Sequence, residues 1–302
     1  MTLQQLRYVL AVADKRSMNK AAAALYVSQP SLSAAVRELE DELGITLFMR
    51  SNKGITVTAE GNEFLGYARQ LMAQYQLIDA RYLNGAPVRK RFSVSMQHYS
   101  FAVQAFMRLV ERFGMDEYEF AVHETKTYEV IENVASFYSE IGVLYKNAFN
   151  EQMLLKLLRE KGLSFTPLFD CHAYVYLWEG HPLASRTLIS FDDLADYPCL
   201  SFEQGENNAF YLAEEILSTY HYKRVIKIDD RATALNLMRG LNAYTICSGL
   251  ISTDLNGGDC IAVRLDSEET MTIGTIKRKE LPLSPLAEIY INELEAYKDQ
   301  AR

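Results

Sequence analysis

Four cysteines among 302 residues are few, and their placement excludes more than their number does. Cys171, Cys199, Cys247 and Cys260 form no C-x-x-C pair and show no metal-ligand spacing, so neither a disulfide scaffold nor a zinc module is supported. Small buried thiols in a reducing compartment are the expectation. Long hydrophobic runs are lacking too. No apolar stretch approaches the roughly 18 residues that span a bilayer. Met1 leads into an amphipathic helix rather than a basic segment followed by an apolar one, which predicts a cytoplasmic chain with no membrane partner. No G-x-S-x-G elbow, H-E-x-x-H pair or Walker loop occurs. The five histidines (His98, His123, His172, His181, His221) are scattered, and Gly257-Gly258 lies in an Asn/Asp-flanked turn with no following lysine. No enzyme activity, metal or cofactor is therefore expected, and no internal repeat or low-complexity tract is visible.

What is present is a globular composition, 49% hydrophobic and 23% charged, long enough for two or three folded units. The net charge of -8 argues against nucleic acid only as an average. Residues 1–91 carry 12 Lys and Arg against 8 Asp and Glu, whereas residues 92–302 carry 19 against 31. A basic head on an acidic body suits a chain that meets phosphates at one end.

The head begins with a helix over 3–15, whose stripe is Leu3, Leu6, Leu10 and Ala13. Ser17 caps a short second helix holding Ala21, Ala22 and Leu25, and the turn Tyr26-Val27 comes next. Ser28 caps a third helix with Pro30 in its first turn and Leu32, Val36, Leu39 and Leu43 inward. Two helices joined so tightly form a helix-turn-helix. The outward side of the third helix exposes Gln29, Ser31, Ser33 and Arg37 first, then Glu40, Asp41 and Glu42. Acidic groups repel phosphates, so residues 28–37 are assigned to DNA.

Gly44 stops this helix, and two β-prone stretches flank the turn signal Ser51-Asn52-Lys53-Gly54. Arg50 and Lys53 make that hairpin a cationic wing. Thr58 then caps a long helix to about residue 83, in which Phe64, Ala68, Leu71, Tyr75, Ile78 and Tyr82 follow steps of four and three. Such a seam predicts pairing with its copy in a second subunit, with packing on its own domain as the alternative.

The stretch 21–61, AAAALYVSQPSLSAAVRELEDELGITLFMRSNKGITVTAEG, resembles the DNA-binding segment of LysR-type transcriptional regulators. The marks are AA-x-x-L-x-V-S-Q-P-S-L-S, V-R-x-L-E-x-E-L-G, L-F-x-R and T-x-x-G. The resemblance implies a homodimer or homotetramer on double-stranded promoter DNA, with Ser28, Gln29, Pro30, Ser31, Ser33 and Arg37 at recognition-helix positions and Arg50 as the wing arginine. Position 34, often a long polar residue in the family, is Ala34, which can touch a thymine methyl but cannot read guanine.

Gly85-Ala86-Pro87-Val88 and Arg89-Lys90-Arg91 read as a hinge, and beyond it strands and helices alternate, which argues for parallel α/β sheets. Fragments such as HPLA at 181–184 and DDLADYP at 192–198 resemble the LysR-type effector domain, which implies a two-subdomain α/β fold like that of type 2 periplasmic binding proteins. The expected domains are a winged helix-turn-helix at 1–58, a linker helix and hinge at 59–91, and an effector domain at 92–302. Within the last, subdomain I takes 92–168 and 270–302 and subdomain II takes 169–269. Helices are expected near 100–113, 126–137, 151–161, 207–220, 231–240 and 285–300.

Ligands of such folds sit beyond the C-terminal strand ends, near helix N-termini. That places His98, Tyr99, Ser100, Thr125, Gln204, Arg231, Thr233 and Gly249 as candidates to bind a small-molecule effector, with ordinary caps and loops as the alternative for each. Two other functions stay open on these residues: a solute-binding or transport-related protein, and an enzyme on the same bilobal scaffold.

Overall fold

Thr2 opens the first helix, α1 (Leu3–Lys15), through a reciprocal capping box with Gln5. In this computed structural model, which describes residues 1–51, 54–82, 90–113, 117–205, 209–251, 255 and 259–300, α1 belongs to a compact unit spanning Met1–Arg89. Ser17 caps α2 (Met18–Ala24) and Ser28 caps α3 (Gln29–Leu43), each accepting a backbone N–H as its sequence position predicts. Gly44 ends α3 in the left-handed conformation at φ 69°. The wing is the antiparallel pair β1 (Phe48–Ser51) and β2 (Gly54–Val57). Thr58 accepts the Gly61 N–H at 2.8 Å and so starts α4 (Ala59–Tyr82). A Cβ at Gly61 would lie 2.4 Å from the Leu47 carbonyl oxygen, which explains the glycine of the T-x-x-G mark.

The apolar residues of α1 serve two partners. Val9 and Val12 join Leu32, Val36, Leu39, Leu47 and Leu65 in the core of the head. Leu3, Leu6 and Leu10 instead pack against Phe64, Ala68, Met72 and Tyr75 of α4, with the Arg7 guanidinium over the Tyr75 ring. This corrects the expectation of a single outward seam. Phe64, Ala68 and Tyr75 are turned toward α1, whose Leu3-Leu6-Leu10 stripe gives the long helix a partner inside its own head. Leu71 and Ile78 are exposed, as is Tyr67 beside them, while the Tyr82 side chain lies outside the described residues.

The second compact unit, Lys90–Arg302, starts with β3 (Lys90–Met96), α5 (Ser100–Glu111), β4 (Tyr118–Glu124), α6 (Thr127–Ala135), β5 (Ile141–Lys146), α7 (Glu151–Glu160) and β6 (Leu163–His172). The chain crosses at Ala173 into β7 (Tyr174–Trp178), β8 (Leu188–Ile189), α8 (Phe191–Leu194), β9 (Cys199–Phe202), β10 (Val225–Ile228), α9 (Arg231–Leu241), β11 (Thr245–Cys247) and β12 (Cys260–Leu265). It returns through β13 (Thr270–Arg278) and α10 (Pro285–Glu295). One sheet has the order β4-β3-β5-β13-β6, and the others are β11-β7-β12-β8 and β10-β9.

The two larger sheets are mixed rather than parallel throughout, and only β10-β9 is purely parallel. The returning β13 runs antiparallel to both β5 and β6, and β7 is antiparallel to β11 and β12. The expected boundary at 168/169 falls inside β6, which pairs with β13 as far as His172. His181 of the HPLA fragment is structural: its Nδ1 accepts the Leu183 N–H and its Nε2 meets the Asn242 carbonyl.

The helix expected at 207–220 does not form. Residues 206–208 lie outside the described residues. Beyond them the chain makes a single 3-10 turn, Phe210–Leu212, then runs irregularly to Tyr220 with Leu217 at φ 65°. Tertiary hydrogen bonds win here. Tyr145 donates to the Ala213 and Glu215 carbonyls, and the Glu214 and Glu215 carboxylates accept backbone N–H groups from His98 and Phe202. A regular helix would withdraw carbonyls and side chains from those bonds.

Candidate functional site

In the head, Ser28 Oγ accepts the Ser31 N–H at 3.2 Å and lies 2.7 Å from Ser31 Oγ, while Gln29 Nε2 donates to Ser33 Oγ at 3.0 Å. Ser28, Pro30, Ser31, Ala34 and Arg37 are accessible on this first half of α3, and Gln29 and Ser33 are half-buried. The candidate DNA-contacting residues of α3 therefore share one accessible surface. Arg50 sits on β1 opposite Ile55; its side chain, like the whole of Lys53, lies outside the described residues. Glu40 is no solvated acid, because its Oε1 accepts the Leu47 and Phe48 N–H groups at 2.7 and 3.1 Å and anchors the entry to the wing. Tyr26, expected in the turn before α3, stands out by its exposure. It is 97% exposed in a left-handed turn at φ 55°, just before α3. An aromatic in so tight a turn has no core to fill.

In the second unit, the ends of β3, β9 and β11 and the start of α9 surround a cavity of about 740 Å³, counting its open mouth. Four of the predicted residues line it: His98, Tyr99, Ser100 and Arg231. The other four do not. Gln204 is buried behind it, accepting the Thr127 N–H and donating to Glu214. Thr125 donates to Glu129, Thr233 is held by the N-cap Asp230, and Gly249 passes so close to Tyr174 that a Cβ would meet the ring at 2.5 Å. The apolar wall comes from Tyr176, Phe202, Leu235, Met238, Ile246 and Met271.

Glu214 and Glu215 are residues that sequence reasoning missed, since an acidic surface hides two more carboxylates. Both are buried and line the cavity. Glu214 Oε2 accepts from the His98 backbone N–H at 3.0 Å and lies 2.8 Å from His98 Nδ1, while its Oε1 accepts from Gln204 at 3.0 Å. Glu215 accepts from the Phe202 N–H at 2.7 Å and from Ser201 Oγ at 3.1 Å. The His98 ring stacks on Phe202 at 4.0 Å between centroids, and Arg231 forms an ion pair with Glu124. The His98–Glu214, His98–Phe202 and Glu124–Arg231 links each join the five-stranded sheet to an element beyond the Ala173 crossing. The cavity is thus framed by a hydrogen-bonded pair, a ring stack and an ion pair that tie the two subdomains together.

Burial penalises the His98 imidazolium, but the hydrogen bond and charge of Glu214 outweigh it, and the histidine is raised above its ordinary value. Burial, and then the charge of Glu214, push Glu215 up to about 7. Burial also pushes the thiols of Cys171, Cys199 and Cys247 up to about 12.

The pattern described as "Bacterial regulatory helix-turn-helix protein, lysR family" matches residues 3–62, and that of the LysR substrate binding domain matches residues 88–298. The chain belongs to the LysR family. This LysR-type regulator is a DNA-binding transcription regulator with an effector-binding domain. It is 24% identical over 293 residues to the uncharacterized HTH-type transcriptional regulator YbhD of Escherichia coli, covering 95% of this chain and 88% of that one. It is 26% identical over 220 residues to a hydrogen peroxide-inducible genes activator of E. coli, covering 68% and 65%. Its fold is similar to full-length CbnR complexed with its target DNA, at a TM-score of 0.57 and 19% identity over the whole of both chains. Among the described residues no helix is long and apolar enough to cross a membrane.

Proposed function

We propose that this LysR-type regulator reads double-stranded promoter DNA with residues 28–37 of α3 and the β1–β2 wing, as a homodimer or homotetramer, under control of a small molecule held in the cavity beside His98. The observation that carries the reading is the framing of that cavity. An occupant touches both subdomains, so its binding energy differs between more and less closed arrangements, which is what control by a ligand requires. The reading involves no catalytic step. The relative named a hydrogen peroxide-inducible genes activator invites a thiol-based alternative, but the four cysteines here are largely buried and three carry strongly raised thiols, the opposite of a reactive thiolate.

Two experiments test this. In gel-shift titrations the purified protein is expected to bind a fragment of its own upstream region more tightly than random DNA. Arg37→Ala should weaken that binding by about 1–3 kcal/mol if the guanidinium reads a base. Equal affinity for the two DNAs would remove the claim of sequence reading. For assembly, the exposed flank of α4 at Tyr67, Leu71 and Ile78 is the proposed pairing surface. Leu71→Asp is expected to yield monomers in analytical ultracentrifugation with the head still folded, because Leu71 is exposed and belongs to neither apolar cluster of the head. An unchanged dimer would place the interface elsewhere.

A further inference from the structure

Resting on the effector-cleft reading above, we propose that the ligand is an organic cation: an ammonium group on a flat apolar or aromatic body. Its amine end is placed toward the Glu214-Glu215 pair and the body lies among Tyr176, Phe202, Leu235, Met238 and Ile246. Two independent features of the cavity lead there.

The first is charge. Among the described residues, Arg231 and His98 are the two basic side chains that line the cavity, and each already faces a carboxylate, Arg231 that of Glu124 and His98 that of Glu214. Glu215 has no cationic partner among the described residues. Its oxygens accept from the neutral Phe202 N–H and Ser201 hydroxyl, and Lys227 stops one bond short, donating to Ser201 Oγ at 3.0 Å. Ionised, Glu215 leaves the group one negative charge in excess. An ammonium neutralises it, whereas a carboxylate ligand would double the excess in a site walled by apolar side chains, where unpaired charge is costly.

The second is an orphan. The Thr245 hydroxyl lines the cavity, the residue is only 7% exposed, and Oγ1 has no hydrogen-bond partner among the described residues. Buried hydroxyls are rarely left so. Its lone pairs accept an ammonium N–H, a contact that a hydrocarbon ligand cannot make, while the sign of the ligand's charge is set by Glu215.

The test uses three probes that share a phenyl ring and differ in charge, benzylamine, benzyl alcohol and benzoate, titrated calorimetrically into the full-length protein. Benzylamine is expected to bind at least about tenfold more tightly than benzyl alcohol, and benzoate most weakly. Glu215→Gln keeps an acceptor for the Phe202 N–H, turns the Ser201 contact round so that the amide donates to Oγ, and should erase the preference for the amine. Thr245→Val, a second variant of unchanged shape, should weaken benzylamine by up to about tenfold. Benzoate binding as tightly as benzylamine, or a preference that survives both substitutions, overturns the cation while leaving the cleft as effector site. If no probe of any charge binds, the cleft reading itself falls, and the proposal with it.

Discussion

Glu214→Ala is expected to destabilise the C-terminal unit by about 3–5 kcal/mol, the range for breaking a buried charged pair by removing one partner. Three donors lose their acceptor at once: the His98 backbone N–H, His98 Nδ1 and Gln204 Nε2. The first of these is the most damaging. A backbone donor at the end of β3 cannot rotate toward water as a side chain can, and an unsatisfied buried donor costs about 1–3 kcal/mol by itself. The loss should appear as a lowered urea midpoint of the effector unit, with the head unfolding as before. A change below about 1 kcal/mol would mean that the glutamate is solvated and does not hold the subdomains together.

The second large effect concerns pH. An ordinary glutamate has a value of 4.5, and Glu215 is pushed up to about 7 by burial and then by Glu214. The folded chain therefore holds this proton more tightly than the unfolded chain. The stabilisation is fully present below 4.5 and is lost as pH rises through about 7. It amounts to about 3 kcal/mol at most. His98, also raised, adds a loss of the same sign as pH climbs through its folded value. Thermal unfolding followed from about pH 5 to pH 8 should show the midpoint falling, and Glu215→Gln should flatten the curve. A midpoint that rises over this range would show that Glu215 is ionised and paired in the folded protein.

The head was legible almost residue by residue because its instructions are local. Ser17, Ser28, Gly44 and Thr58 each act within one turn of where they stand, by capping or by left-handed geometry. The partner of the long helix was not legible, although both halves of the contact were. Leu3, Leu6 and Leu10 stand out as a stripe and Phe64, Ala68 and Tyr75 as a seam, but a periodic pattern says that a face is covered and not by what. The effector unit shows the opposite limit. Its strand ends pointed to His98, Tyr99, Ser100 and Arg231, all at the cavity, because strand ends and helix starts are visible from periodicity. Thr125, Thr233 and Gly249 obey the same rule and serve as turn, cap and close approach instead. Glu214 and Glu215 escaped because their surroundings are long-range. The donors that hold them come from His98, 116 residues away, and from Ser201, Phe202 and Gln204 across an irregular turn. The apolar frame Leu212-Ala213-Glu214-Glu215-Ile216-Leu217 was their one local trace.

The packing of α4 on α1 has a consequence for the operator. With its own flank fixed to Leu3, Leu6 and Leu10, the long helix moves with the reading helix as a single piece. In a pair joined through the exposed flank, the separation of the two reading helices is then set by the register in which the long helices meet. A slip of one helical turn, about 5.4 Å, corresponds to about one and a half base-pair steps of B-DNA. Under the proposed pairing, half-site phasing would be set by Tyr67, Leu71 and Ile78.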